Sequence, residues 1–279
     1  MATTAVPPTL VASLPDLLAF ISSIPQSSTL YLDLEGKDLS RNGTLTIITI
    51  LIHPTRATSL IDVQTLGHSA FTTPGANGKT LKAILEDPCI PKRLWDVRND
   101  ADALWSHHQV RLAGVMDIQL LENATRIGDR TYVRGLDICV DKDLRLEIFK
   151  YQRWTRIKRE VRDLMHKDIF SHRPLDAKTI QYCVNDVVHL PALYNTYTKR
   201  INRAWMKKVT DESTRRVEDA CGPSYEPQSE TKRLGPWGLA SGKKLLSIDD
   251  YEWSDQLEED EMQQGLLGRD MDEESCWYP

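Results

Sequence analysis

The sequence predicts an α/β domain built on a mixed sheet, and three observations carry that expectation. Strand-like runs concentrate in the first part of the chain, interleaved with helical patterns. From about residue 135 the periodicity is helical alone. Acidic residues end one apolar strand and sit inside one apolar helix, where they have no evident surface role.

Residues 7–25 are fairly apolar, interrupted by Pro15 and Asp16, and read as an amphipathic helix packed on the domain. With no basic residue before it, this stretch makes a poor secretory signal. Thr29–Glu35 reads as a buried first strand. Residues 43–52 are β-branched and partly alternating, a second strand, and residues 59–63 make a short third. Asn77-Gly78 marks a turn before a helical pattern over 79–86, which stops at Pro88. Residues 93–97 form a fourth strand leading into a helix over 100–108. Residues 115–118 are a fifth strand, or the buried entry to a helix running through Ala124. Helices over 135–142, 149–164 and 177–202 follow, with a kink expected at Pro191, which lacks a backbone donor.

At 279 residues and 41% hydrophobic content the chain can hold one large domain or two small ones. No apolar run approaches the roughly 20 residues of a membrane helix. Five scattered cysteines without a Cys-x-x-Cys argue against a disulfide framework or a zinc ribbon, and favour an intracellular setting, cytoplasmic or nuclear. The net charge of −5 hides a split. Residues 211–279 carry 18 acidic and 7 basic side chains, whereas residues 1–210 carry 22 and 28. A nucleic-acid partner would be drawn to the basic body alone. We expect a body over 8–208 and an acidic, largely disordered tail over 209–279, where the pattern fails among scattered prolines and glycines.

Side chains alternate along a strand, so Asp33 and Glu35 project to the same side. Two adjacent carboxylates repel unless a cation lies between them, so the pair reads as half of a divalent metal site. Tyr182 and Asp186 are four apart and stack on one helix face. Between these segments Asp100 opens the helix that follows the fourth strand.

In this order, Leu30-Tyr31-Leu32-Asp33-Leu34-Glu35, Asp100 and Tyr182 with Asp186 resemble the DEDD 3′–5′ exonuclease superfamily. The branch is the one with a tyrosine four residues before the last aspartate (DEDDy), home of ribonuclease D and the Werner-syndrome exonuclease domain. The opening Asp33-Leu34-Glu35-Gly36 and the second motif Asp96-Val97-Arg98 resemble its Egalitarian-like group. A lone Asp-x-Glu or Tyr-x-x-x-Asp carries little, and order, spacing and placement supply the specificity. The resemblance runs from about residue 10 to about residue 204.

It implies a ribonuclease H-like fold with a five-stranded mixed sheet, its first three strands antiparallel, flanked by helices. It also implies two ions, Mg²⁺ or Mn²⁺, held by Asp33, Glu35, Asp100 and Asp186. Asp33 would bridge both, Glu35 and Asp186 would hold the nucleophile-side ion, and Asp100 would support the other. Tyr182 would aim the attacking water. The implied activity is hydrolysis of RNA or single-stranded DNA from the 3′ end. The alternative is a nuclease-fold adaptor that binds RNA or a protein partner without cutting. Asp102 competes with Asp100 for the second-motif position; the spacing from Asp100 to Asp117 fits the ribonuclease D pattern, and Asp117 itself reads as structural.

The basic helix containing Arg153, Trp154, Arg156, Lys158 and Arg159 interleaves aromatics with cations. Such a mix can grip a phosphate backbone while stacking on unpaired bases. It can equally bury Trp154, Ile157 and Val161 and wet its charged face.

Overall fold

Strands that are apolar on both faces belong at the centre of a sheet covered on both sides, and that is where this chain puts them. The computed structural model describes residues 7–238. In chain order the elements are β1 (Thr9–Val11), α1 (Leu14–Ser23), β2 (Thr29–Glu35), β3 (Ile47–His53) and β4 (Ala57–Asp62). Three short helices follow, α2 (Val63–Leu66), α3 (Ser69–Thr72) and α4 (Leu81–Glu86), then β5 (Lys92–Leu94), α5 (Arg98–His108) and β6 (Val115–Asp117). The rest is helical: α6 (Ile118–Thr125), α7 (Leu136–Leu144), α8 (Ile148–Arg162), α9 (Ala177–Val188), α10 (Leu190–Thr198) and α11 (Arg203–Cys221).

The sheet order is β1-β4-β3-β2-β5-β6. β2, β3 and β4 run antiparallel to their neighbours in the set, while β5 lies parallel to β2 and β6 parallel to β5. All five expected strands are present, and a sixth, β1, pairs parallel with β4 at the edge. Its three residues are too few to show a period of two, so the sequence reading merged them with α1.

Alternation along β2 divides the core. Leu30, Leu32 and Leu34 pack with Ile48, Ile50 and Ile52 and with apolar residues of α1, α4 and α5. Tyr31, on the other face, joins the cluster built from α6, α7, α9 and α10. Each large side chain removed from water in this way stabilises the fold by about 1.5–3 kcal/mol. Asp33 and Glu35 share the Tyr31 face, so they point at α9, which packs across β2 and β3.

The helix expected over 177–202 divides at His189 into α9 and α10. Pro191 falls in the first turn of α10, where a missing N–H costs nothing.

One expected boundary is corrected. Residue 208 does not end the body but lies inside α11, whose face of Val209, Ser213, Arg216, Val217 and Ala220 is buried against α5, β6 and α6. The chain then stays packed through Trp237, whose ring meets Trp205 edge-on at 5.4 Å. Sequence reading missed this because the buried face carries a serine and an arginine. Both are satisfied: Ser213 Oγ accepts from Asp117 N at 3.0 Å, and Arg216 Nη1 donates to Asp117 Oδ2 at 2.7 Å. The remainder of the expected tail, residues 239–279, lies outside the described residues. Among the described residues no helix is long and apolar enough to cross a membrane, and Cys89, Cys139, Cys183 and Cys221 are unpaired.

Candidate active site

α9 begins at Asp176, whose carboxylate accepts from Lys178 N and Thr179 N as an N-cap. That start sets the helical phase, and the phase turns Tyr182 and Asp186 toward the sheet. Oxygens of Asp33, Glu35 and Asp186 lie within 4.8 Å of one another. Tyr182 is buried beside them, its ring tilted against Phe170 at 5.9 Å.

Burial raises the carboxyls of Asp33 and Glu35 well above the ordinary carboxylate range, and the neighbouring acids push them further. Asp186 is raised by burial, against the pull of Lys158 and a hydrogen bond from Tyr182. The Tyr182 hydroxyl is driven far up by burial and then by the charges of Asp186, Glu35 and Asp33. The phenol therefore keeps its proton at neutral pH.

Asp100 stands at the start of α5, 7% exposed. It lies outside the close trio, yet its charge reaches Asp33 and helps raise that carboxyl. Its own carboxyl is pushed up to about 8, first by burial and then by the charge of Asp96. Asp102 is occupied elsewhere: it is fully buried and accepts from Arg41 N and Arg41 Nε, both at 2.7 Å. Arg41 also donates to the carbonyls of Ala220 and Gly222, so this pair clamps α5 to the end of α11.

Asp117 caps the start of α6 and accepts from Asp96 N, Val97 N and Gln119 N. With Arg216 also donating to Oδ2, it braces the loop that delivers Asp100. Asp96 opens that loop with a φ of 62° and holds Arg98 through two hydrogen bonds. Residues beyond α11 lie over the first turn of α5, for Tyr225 Oη donates to Asn99 Oδ1 at 2.7 Å and Lys232 Nζ reaches the same atom at 2.5 Å.

The basic helix α8 divides as an amphipathic helix must. Arg153, Arg156 and Arg159 are exposed, whereas Trp154, Ile157, Lys158 and Val161 are buried. Trp154 and Lys158 are therefore corrected as candidates for an exposed nucleic-acid face. Trp154 Nε1 donates to the carbonyl of Asn185 at 3.2 Å, which leaves its ring inside the helix packing. Lys158 Nζ is hydrogen-bonded to Asp186 Oδ1. Sequence reasoning missed this link because no pattern within α8 says which of its cations meets α9. A lysine spaced one turn from a buried tryptophan was the only available hint.

Residues 9–202 match a family described as 3′-5′ exonuclease. No curated protein shows significant sequence similarity to the chain. Among solved structures, the Trypanosoma brucei RNase D complex with GMP is 20% identical with a TM-score of 0.68, covering 82% of this chain and 69% of that one. The same enzyme in complex with RNA U12 gives a TM-score of 0.65 at 20% identity, over 81% and 74% of the two chains. Escherichia coli RNase D gives 0.56 at 18% identity, over 78% of this chain and 51% of its own. At these identities the likeness is one of fold.

Proposed function

Because the chain belongs to the 3′-5′ exonuclease family, we propose that it hydrolyses phosphodiester bonds of RNA or single-stranded DNA from the 3′ end with two divalent ions, Mg²⁺ or Mn²⁺. The observation that carries this reading is the meeting of Asp33, Glu35 and Asp186, far apart in sequence, within 4.8 Å. The donor set fits such ions, for it is all carboxylate oxygen, the hard ligand that Mg²⁺ and Mn²⁺ prefer. One ammonium, that of Lys158, faces three acids.

Asp33, Glu35 and Asp186 would hold one ion, and Asp33 with Asp100 the other. Bound there, the ions supply a water that is nucleophilic at neutral pH and relieve charge on the departing 3′ oxygen. Tyr182, protonated and fixed by its contact with Asp186, would orient the attacking water rather than remove its proton. The exposed Arg153, Arg156 and Arg159 would hold phosphates farther from the cut. The GMP and U12 complexes of the T. brucei RNase D support RNA as a partner class. The unpaired cysteines suit a reducing compartment, cytoplasm or nucleus.

A 5′-labelled oligonucleotide incubated with the purified protein and Mn²⁺ should yield a ladder shortening from the 3′ end, and Asp33→Asn should abolish it. An unchanged ladder from that variant, or none from the wild type, sinks the assignment. Matched RNA and DNA substrates in the same assay assign the sugar preference. One observation favours the second reading, an adaptor that binds RNA or a protein partner without cleavage: a lysine ammonium already neutralises Asp186. An adaptor would bind oligonucleotide equally with EDTA and with Mn²⁺.

A further inference from the structure

Lys158 reaches the acidic cluster from a helix whose other cations face solvent. Its side chain is 11% exposed, and among the described residues Asp186 is its one ion-pair partner. Two aromatic rings frame the ammonium, with Nζ 5.1 Å from the Trp154 ring centroid and 5.5 Å from that of Tyr182. Ring faces attract cations, most strongly where water is excluded. Trp154 is itself pinned to the carbonyl of Asn185, the residue before Asp186. Rings and carboxylate together make a preformed seat for one positive charge. The seat lies on an oxygen of the same three-carboxylate cluster that is suited to a divalent ion.

We propose that Lys158 is an intramolecular competitor of the divalent ion: its ammonium holds Asp186 until an ion arrives and must leave that carboxylate for the ion to be held. The inference rests on the metal-site reading above and adds to it a threshold of ion affinity. An ammonium and a dication on one carboxylate repel each other, and the repulsion is large where burial lowers the local dielectric. The displaced side chain has a route out. Lys158 lines a groove of about 520 Å³ between α7 and α8 whose walls also carry Asp141, Asp163 and Asp137, the last paired with Arg162 at 3.8 Å. The four-carbon lysine stem is flexible enough to make that swing. Because only the unlatched fraction can bind the ion, a latch closed 90–99% of the time weakens apparent affinity by about 10- to 100-fold.

The test uses full-length protein stripped of metal, with no nucleic acid present, and Mn²⁺ binding followed by the electron paramagnetic resonance of the free ion. Wild type is compared with Lys158→Met, which keeps the length and removes the charge, and with Lys158→Gln, which keeps a hydrogen-bond donor should the methionine variant fail to fold. Both variants are expected to bind Mn²⁺ about 10- to 100-fold more tightly than wild type. In EDTA both should melt lower than wild type, and Mn²⁺ should restore them. A purely structural lysine would lower melting without tightening the ion. Wild type and variants binding Mn²⁺ within about twofold of one another, or variants binding more weakly, overturn the latch and leave the exonuclease reading intact. No binding by any of the three overturns both. Binding by the variants alone supports a latch closed so firmly that the adaptor reading gains.

Discussion

Replacing Asp33 by asparagine should stabilise the metal-free protein while removing its activity. The oxygens of Asp33, Glu35 and Asp186 lie within 4.8 Å of one another, and two unit charges at that separation repel by about 3.5 kcal/mol at an effective dielectric near 20. Asp33 faces two such neighbours, and Lys158 offsets part of the repulsion. Proton uptake and small relaxations remove more, leaving about 2 kcal/mol to be gained, which is about 4–8 °C in melting temperature for a domain of this size.

The pH dependence follows the same sign. Folding raises the carboxyls of Asp33, Glu35 and Asp186, and that of Asp100 to about 8, above their unfolded values. Between about pH 4, where the unfolded groups titrate, and those raised values, the folded chain binds more protons than the unfolded one. Stability in EDTA therefore falls as pH rises through that window, and Mn²⁺ should stabilise the wild type more at about pH 8 than at about pH 6. Differential scanning fluorimetry of wild type and Asp33→Asn, with EDTA or Mn²⁺ at both pH values, reads all of this. If the asparagine variant melts no higher than wild type in EDTA at the upper pH, the electrostatic argument is wrong.

Tyr182→Phe removes the hydroxyl but not the ring, and should lower kcat by about 10²-fold with KM nearly unchanged; undiminished turnover would show that the phenol orients nothing. Arg216→Met leaves the buried Asp117 without its cation, a loss of about 3–5 kcal/mol that urea unfolding would register. A loss below about 1 kcal/mol would mean the pair braces nothing. Residues 239–279 carry twelve acidic and three basic side chains. Deleting them should tighten oligonucleotide binding at low salt and change it little at high salt, where screening is strong. Equal affinity at low ionic strength would dispose of that competition.

The parts legible in the sequence are those whose pattern is local. Leu30, Leu32 and Leu34 alternate with Tyr31, Asp33 and Glu35, and that period alone places both acids on one face of β2. Tyr182 and Asp186 follow from helical spacing in the same way. What stayed hidden depends on partners distant in the chain. Asp100 and Asp102 look alike two residues apart, and only Arg41, brought across by the loop between β2 and β3, separates the acid whose charge reaches Asp33 from the clamped one. Arg216 and Ser213 fell within the expected tail because their partner, Asp117, lies about a hundred positions earlier. Lys158 was misread for the same reason, since its place is decided by α9.

The latching of Tyr225 and Lys232 onto Asn99 sets an order of assembly. These contacts span 126 and 133 positions, and Arg216 reaches back 99 to Asp117. A ribosome that has released the hairpins of β2, β3 and β4, and even α9, has still not made what steadies the turn before Asp100. The nascent chain can thus close its sheet and bring Asp33, Glu35 and Asp186 together while the fourth acid rests on an unbraced first turn of α5, and synthesis must run on past residue 232 before that brace exists.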